Sequence, residues 1–75
     1  MNVGMQLQNE VQIYEVFARQ RRQEPLQQIG TVTAANSDLA VAYARSVYNE
    51  EPWIEMVVIA RSDLIPAISL EESPA

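Results

Sequence analysis

The sequence predicts a small α+β domain in which a three-stranded, antiparallel-rich sheet carries one helix on one face. Three observations predict this class. The chain has 75 residues, which is enough for one domain and one small core. Three segments are rich in β-branched and aromatic residues, and one alanine-rich segment follows a helix-start signal. The predicted order is β-β-α-β, with the first strand at the centre of the sheet.

The first two strands are expected to form an antiparallel hairpin. Residues 11–19 (VQIYEVFAR) and 27–35 (QQIGTVTAA) are rich in strand-forming residues. The polar loop of residues 20–26 between them is short and contains a proline, which favours a turn. Gly30 lies inside the second strand and predicts either a β-bulge or the close approach of another group.

A helix and a third strand complete the domain. The polar residues 36–38 (NSD) predict a helix start, and the helix is expected over residues 39–49. One apolar stripe of this helix is formed by Ala40, Tyr43, Ala44 and Val47. Pro52 closes the connection, and residues 53–61 (WIEMVVIAR) give the strongest strand signal in the chain.

The predicted organisation is a single α+β domain at residues 11–68, preceded by a flexible N-terminal arm at 1–10 and followed by a disordered acidic tail at 69–75. No basic residue precedes Arg19, and no purely apolar run is longer than six residues. Neither a secretory signal nor a membrane helix is therefore expected. The expected location is the cytoplasm.

The composition argues against several kinds of chemistry. The chain has no cysteine, no histidine and no lysine, which removes the commonest general base and the commonest metal ligands. The formal net charge is −5, so neither nucleic acid nor an anionic membrane is an expected partner. The acidic pairs at 50–51 and 71–72 lie in polar segments and are expected to be solvated. We predict no catalytic residue, no cofactor and no metal site.

One charged cluster keeps two interpretations open. Arg19, Arg21 and Arg22 lie close together in sequence. They could bind a phosphate or the carboxylate of a partner. The alternative is a solvated loop, since no glycine-rich loop or helix N-terminus accompanies them.

The alternation of side chains along the strands assigns two faces to the sheet. The face expected to lie under the helix is nearly all apolar, and its members are Tyr14, Val16, Ala18, Val32, Ala34, Ile54, Met56, Val58 and Ala60. We call the opposite face the open face. Its predicted members are Ile13, Glu15, Phe17, Arg19, Ile29, Thr31, Thr33, Trp53, Glu55, Val57, Ile59 and Arg61.

The open face combines large apolar groups with opposite charges, which is typical of a protein–protein interface. The predicted interface residues are Ile13, Glu15, Phe17, Arg19, Thr31, Trp53, Glu55, Val57, Ile59 and Arg61. Phe17 and Trp53 are expected to be its anchors, and a twofold homodimer is the expected assembly. The alternative is that the two termini fold back over this face.

Four segments, taken together, resemble the phenylacetic acid degradation B family, the small B subunit of ring 1,2-phenylacetyl-CoA epoxidase. YEVFAR at residues 14–19 resembles the family's opening strand, and IGTVTAAN at 29–36 its second strand. LAVAYARSVY at 39–48 is similar to its helix, and MVVIARSDLI at 56–65 to its third strand and the following turn. Glu50 and Glu51 stand where the family pattern has two arginines. Family members usually continue beyond the position of Ala75.

The resemblance implies a non-catalytic role. In that family the di-iron centre belongs to the A subunit, the C subunit is its structural homologue, and a flavin and iron–sulfur reductase supplies electrons. The B subunit holds the larger subunits together. The expected function is therefore a structural, bridging subunit of a multicomponent di-iron oxygenase that acts on an aromatic CoA thioester. Its expected partners are a second copy of itself and the larger A- and C-type subunits.

A second hypothesis stays open at this point. The chain could be a free-standing dimeric module of the dimeric α+β-barrel kind, which binds a small ligand or a protein. A homodimer of that kind would close the open face on its own copy, whereas an oxygenase subunit would co-purify with larger partners.

Overall fold

A computed structural model describes residues 10–70. Strands β1 (Gln12–Arg19) and β2 (Gln27–Ala34) are followed by helix α1 (Ser37–Val47), strand β3 (Glu55–Ala60) and a 3₁₀ turn, η1 (Arg61–Asp63). The strands form one sheet with the order β2-β1-β3, and β1 is antiparallel to both neighbours. The predicted fold class, the β-β-α-β order and the central position of the first strand are confirmed.

The β1–β2 hairpin contains a bulge beside Gly30. Val16 is opposite Gly30, but the next residue of β1, Phe17, is opposite Gln28. Ile29 is therefore the extra residue, and it packs against the core. Its assignment to the open face was wrong, because one extra residue reverses the alternation of side chains beyond it. Gln28 takes its place on the open face, where its amide contacts Glu15.

Small residues let α1 lie close to the sheet. Ala40 and Ala44 are buried against a core that includes Tyr14, Val16 and Val32. The other two residues of the predicted stripe, Tyr43 and Val47, are exposed, so only the alanines of this stripe pack into the core. The helix covers Ser37–Val47 rather than the predicted residues 39–49. Its N-cap lies in the predicted start signal, because the Asn36 side chain accepts a hydrogen bond from Leu39 N–H at 2.9 Å.

Strand β3 is shorter than the sequence predicts. It begins at Glu55 rather than at Trp53. Ile54 is 55% exposed, so its predicted place in the core was wrong. The alternation argument fails here because Trp53 and Ile54 lie before the ladder begins. The other predicted core residues of this segment, Met56, Val58 and Ala60, do pack against the core.

The chain after η1 carries large apolar side chains that make little contact with the domain. Ile65, Ile68 and Leu70 are 90%, 92% and 98% exposed. This part of the chain therefore does not fold back over the open face. Most of the predicted N-terminal arm (residues 1–9) and most of the predicted acidic tail (71–75) lie outside the described residues. Within residues 10–70, no helix is long and apolar enough to span a membrane.

Candidate protein–protein interface

The centre of the open face is an apolar group on β1 and β3. Phe17 is opposite Val57, and Glu15 is opposite Ile59. Phe17 and Ile59 are half-buried, while Val57 and Ile13 are each 38% exposed. The structure therefore brings four predicted interface residues together on one surface, and all four are partly accessible to a partner. Thr31 lies beside Glu15 on β2 and is exposed.

One carboxylate of this face is buried. Glu15 is only 6% exposed because two side chains cover it. Arg61 Nε donates to Glu15 Oε2 at 2.6 Å, and Gln28 donates its amide to the other carboxylate oxygen. A buried charge is tolerated when it is paired and hydrogen-bonded. Glu15 therefore forms part of the fold, and Arg61, whose side chain is 53% exposed, presents the outer surface of this pair.

The second charged pair braces the hairpin loop. Arg19 Nε lies 2.7 Å and its Nη2 2.6 Å from Glu55 Oε1. Its Nη1 donates to the carbonyl oxygens of Arg22 at 3.1 Å and Glu24 at 3.0 Å. The donors of this guanidinium are therefore largely occupied within the chain, and a solvated loop describes this part of the arginine cluster better than a phosphate site.

The rest of the loop is held by an exposed pair. Arg21 Nη1 donates to Glu24 Oε2 at 2.6 Å. This hydrogen bond lowers the pKa of Glu24 from its ordinary value, and the backbone N–H of Gln20 acts in the same direction. The Arg22 side chain has no ion-pair partner within residues 10–70.

Trp53 does not join Phe17 on the open face. Its indole N–H donates to the carbonyl oxygen of Tyr48 at 2.8 Å, which places the ring at the C-terminal end of α1. It lines a groove between this helix and β3 together with Arg45, Met56 and Val58. Strand alternation therefore no longer supports Trp53 as an anchor of the open face. Phe17 does lie on that face, as predicted.

Two contacts of the sheet had no clear signal in the sequence. Gln28 reaches the open face only because of the bulge, and a polar residue in a strand does not by itself indicate this. The Tyr48 hydroxyl accepts a hydrogen bond from Thr31 N–H at 3.1 Å and donates to Thr31 C=O at 3.0 Å. The glycine at position 30 was the one available signal, because it predicted a close approach.

The open face offers apolar contact area, not reactive groups. Within residues 10–70, no group of three or more histidine, cysteine, aspartate or glutamate residues could hold a metal ion. Its two central charged pairs are internally compensated. Such a surface is suited to binding another protein, since the partner meets an apolar centre and charges that are already paired.

The model of the phenylacetic acid degradation B (PaaB) family matches residues 10–75 of the chain. The chain belongs to this family. The suspected family is thereby confirmed, and a role in phenylacetic acid degradation follows from membership. No curated protein and no solved structure matches the chain significantly.

The family match also covers the open face. The match covers all three strands and the helix, so it includes Phe17, Val57 and both charged pairs.

Proposed function

We propose that this phenylacetic acid degradation B protein is a non-catalytic, bridging subunit of a multicomponent di-iron oxygenase that acts on an aromatic CoA thioester of the phenylacetyl-CoA type. Its partners are the larger A- and C-type subunits, and the contact is made through the open face. The observation that carries the proposal is the partly exposed apolar group of Phe17, Val57, Ile13 and Ile59 beside two compensated ion pairs.

The charges of the open face favour docking because they do not have to be neutralised by the partner. A buried interfacial charge without a partner is costly. Glu15 already has Arg61 and Gln28, and Glu55 already has Arg19. A larger subunit can therefore cover Phe17 and Val57 without leaving a lone charge at the interface centre.

The support for a non-catalytic role is chemical. The chain contains no histidine, cysteine or lysine, and the buried carboxylate Glu15 is engaged in an ion pair. An activated nucleophile or general base needs a positioned partner that tunes it. The open face offers no such arrangement among its described residues, so oxygen activation is assigned to the larger subunits.

The first experiment compares two serine variants in co-purification. The full chain is co-expressed with the larger oxygenase subunits of the same source. Phe17→Ser is expected to reduce the amount of this chain recovered with them, because aromatic groups at an interface centre contribute strongly to binding. Val47→Ser is the control, since Val47 is exposed on α1. Equal recovery of both variants, or no recovery of the unchanged chain, would contradict the proposal.

The second experiment concerns the isolated chain. Elemental analysis is expected to find no stoichiometric iron or zinc, and the chain alone is expected to show no turnover of phenylacetyl-CoA. Addition of the chain to the larger subunits and the reductase is expected to raise epoxidation. Turnover or stoichiometric iron in the isolated chain would overturn the non-catalytic assignment.

A further inference from the structure

The two outer edges of the sheet differ, because one is partly occupied within the chain and the other is not. We propose that the outer edge of β3 pairs with β3 of a second copy, antiparallel and about a twofold axis at Val58, so that the two three-stranded sheets join into one. This contact goes beyond the proposed oxygenase role. It leaves the open faces of both copies available for a larger subunit.

The Tyr48 hydroxyl shows which backbone groups of β2 point outward. It bonds to both the N–H and the C=O of Thr31, so these two groups are directed away from β1. Successive residues of a strand direct their backbone groups to alternate sides. The next residue, Val32, therefore bonds to β1. At Thr31 the outer edge of β2 is already occupied by a side chain of its own chain.

The same alternation identifies the outward backbone groups of β3. Val32 is opposite Tyr14, so Tyr14 bonds to β2. The next residue of β1, Glu15, then bonds to β3, where it is opposite Ile59. Val58 precedes Ile59 and therefore directs its N–H and C=O to the outer edge of the sheet.

The outward groups of β3 have no partner within residues 10–70. Strand β3 pairs only with β1, and no backbone hydrogen bond outside that ladder involves Val58 or Met56, the next outward residue. Natural sheets usually protect an exposed edge with lysine, proline or a covering segment. The sequence of β3 is EMVVIA, which contains neither lysine nor proline. Such an edge is suited to pairing with another strand.

A groove along this edge leaves room for the side chains of an added strand. It has a volume of about 450 Å³ and is lined by Val57 on the open-face side and by Met56 and Val58 on the helix side. Helix α1 contributes Val41, which is 45% exposed. The groove therefore gives the added strand apolar contacts as well as backbone hydrogen bonds.

The charges at the ends of β3 are complementary to themselves under a twofold rotation. Glu55 and Arg61 lie at equal distances from Val58 along the chain. When two antiparallel copies of β3 are centred on Val58, Glu55 of each copy is opposite Arg61 of the other.

The intrachain ion pairs extend this match across the joined sheet. Glu55 pairs with Arg19, and Arg61 with Glu15, so the charges alternate in sign from one strand to the next. Opposite charges on facing strands stabilise a sheet, and like charges destabilise it. The match therefore favours a second copy over an unrelated strand and sets the register. It also gives a closed twofold contact, the commonest symmetry of homo-oligomers.

The register is tested with cysteine pairs, since the full chain contains no cysteine. In the proposed contact, Val57 of one copy is opposite Ile59 of the other. Val57→Cys and Ile59→Cys are purified separately, mixed and oxidised. The expected product is a disulfide-linked species of about twice the 8.4 kDa chain mass, because facing residues of paired strands are within disulfide range.

The control mixture combines Val57→Cys with Ile13→Cys. Ile13 also lies on the open face, and both residues are 38% exposed. Equal yields in the two mixtures would show random or face-to-face contact and would overturn the proposal. A higher yield from Val57→Cys alone would show that the axis does not lie at Val58.

Hydrogen exchange followed by NMR tests which edge is covered. The amide protons of Met56 and Val58 are expected to become protected as the protein concentration rises. Thr33 is the internal control, because its N–H points outward at the edge of β2, two residues after Thr31. Protection of Thr33 without protection of Met56 and Val58 would contradict the proposal.

Two helix variants test the contact without changing the open face. Val41 lines the groove beside β3, whereas Val47 lies beside β2, and both are exposed. Val41→Lys is expected to raise the dimer dissociation constant at least about tenfold in sedimentation equilibrium, and Val47→Lys is expected to leave it unchanged. If Phe17→Ser raises it while Val41→Lys does not, copies associate through the open face and the proposal is wrong.

The readouts require only the isolated chain. A failed edge contact therefore leaves the co-purification test of the oxygenase role unaffected, and a failed co-purification leaves the cross-linking and exchange results unaffected.

Discussion

The side chain of Tyr48 occupies the space that a side chain at Gly30 would need. A Cβ built on Gly30 would overlap the Tyr48 hydroxyl and would lie 2.5 Å from Cζ and 2.9 Å from Cε1. The same hydroxyl bonds to both backbone groups of Thr31. This contact ties the C-terminal end of α1 to the bulge in β2, and it explains why a glycine stands inside a strand.

Gly30→Ala is expected to destabilise the protein by about 1–3 kcal/mol, because the aromatic ring must move out of a filled space. The free energy of unfolding from urea denaturation checks this. In a Tyr48→Ala background the ring is absent, so the same change at Gly30 is expected to have almost no effect. Additive costs in the double variant would show that the two residues do not compete for this space.

The Glu15–Arg61 pair is expected to matter more than an equally short exposed pair. Both this pair and Arg21–Glu24 have an N–O distance of 2.6 Å, but the Glu15 side chain is 8% exposed and the Glu24 side chain 39%. Arg61→Ala leaves a buried carboxylate with only Gln28 as a side-chain partner, and is expected to cost about 1–3 kcal/mol. Arg21→Ala is the control and is expected to cost less than about 1 kcal/mol. Equal losses in thermal or urea unfolding would contradict the burial argument.

Substitutions at two neighbouring residues of β1 are expected to have different effects, one on folding and the other on assembly. Val16 is fully buried under the helix, so Val16→Ala opens a cavity and is expected to lower the free energy of unfolding by about 1–3 kcal/mol. Phe17 is half-buried on the open face, and Phe17→Ala is expected to weaken assembly by about 2 kcal/mol or more. Denaturation midpoints and the dissociation constant of the complex are measured for both variants. A Phe17→Ala protein that unfolds without an assembly defect would show that the faces are assigned wrongly.

The hairpin loop is expected to show one pH-dependent contact. The hydrogen bond from Arg21 lowers the folded-state pKa of Glu24 below its ordinary value of 4.5. A group with a lowered pKa contributes stability above its unfolded pKa, and this contribution is lost as the pH falls through the folded value. NMR titration of the Glu24 carboxyl checks the shift, and Arg21→Ala is expected to raise the pKa toward 4.5. An unchanged pKa in that variant would assign the shift to the backbone instead.

Period-2 patterns in the sequence were sufficient to predict which face of the sheet most strand residues occupy. They correctly placed Tyr14, Val16 and Ala18 under the helix and Phe17 on the opposite face, because a regular strand alternates its side chains without exception. They failed at Ile29 and at Ile54. Ile29 is the extra residue of a bulge, and Ile54 precedes the strand. In both cases the ladder is interrupted, and alternation holds only inside a continuous ladder.

The sequence by itself determined the element order, the helix-start signal at residues 36–38, the central strand and the family, since these depend on local patterns and on motifs in one order. Only the tertiary structure decided which side chains meet. It paired Glu15 with Arg61, which lies 46 residues further along the chain, placed Trp53 at the end of α1, and left the side chains of Ile65, Ile68 and Leu70 exposed. Such contacts depend on how strands pair and where a ladder ends. Both are set by residues far apart in the chain, so they leave no periodic signal in the sequence.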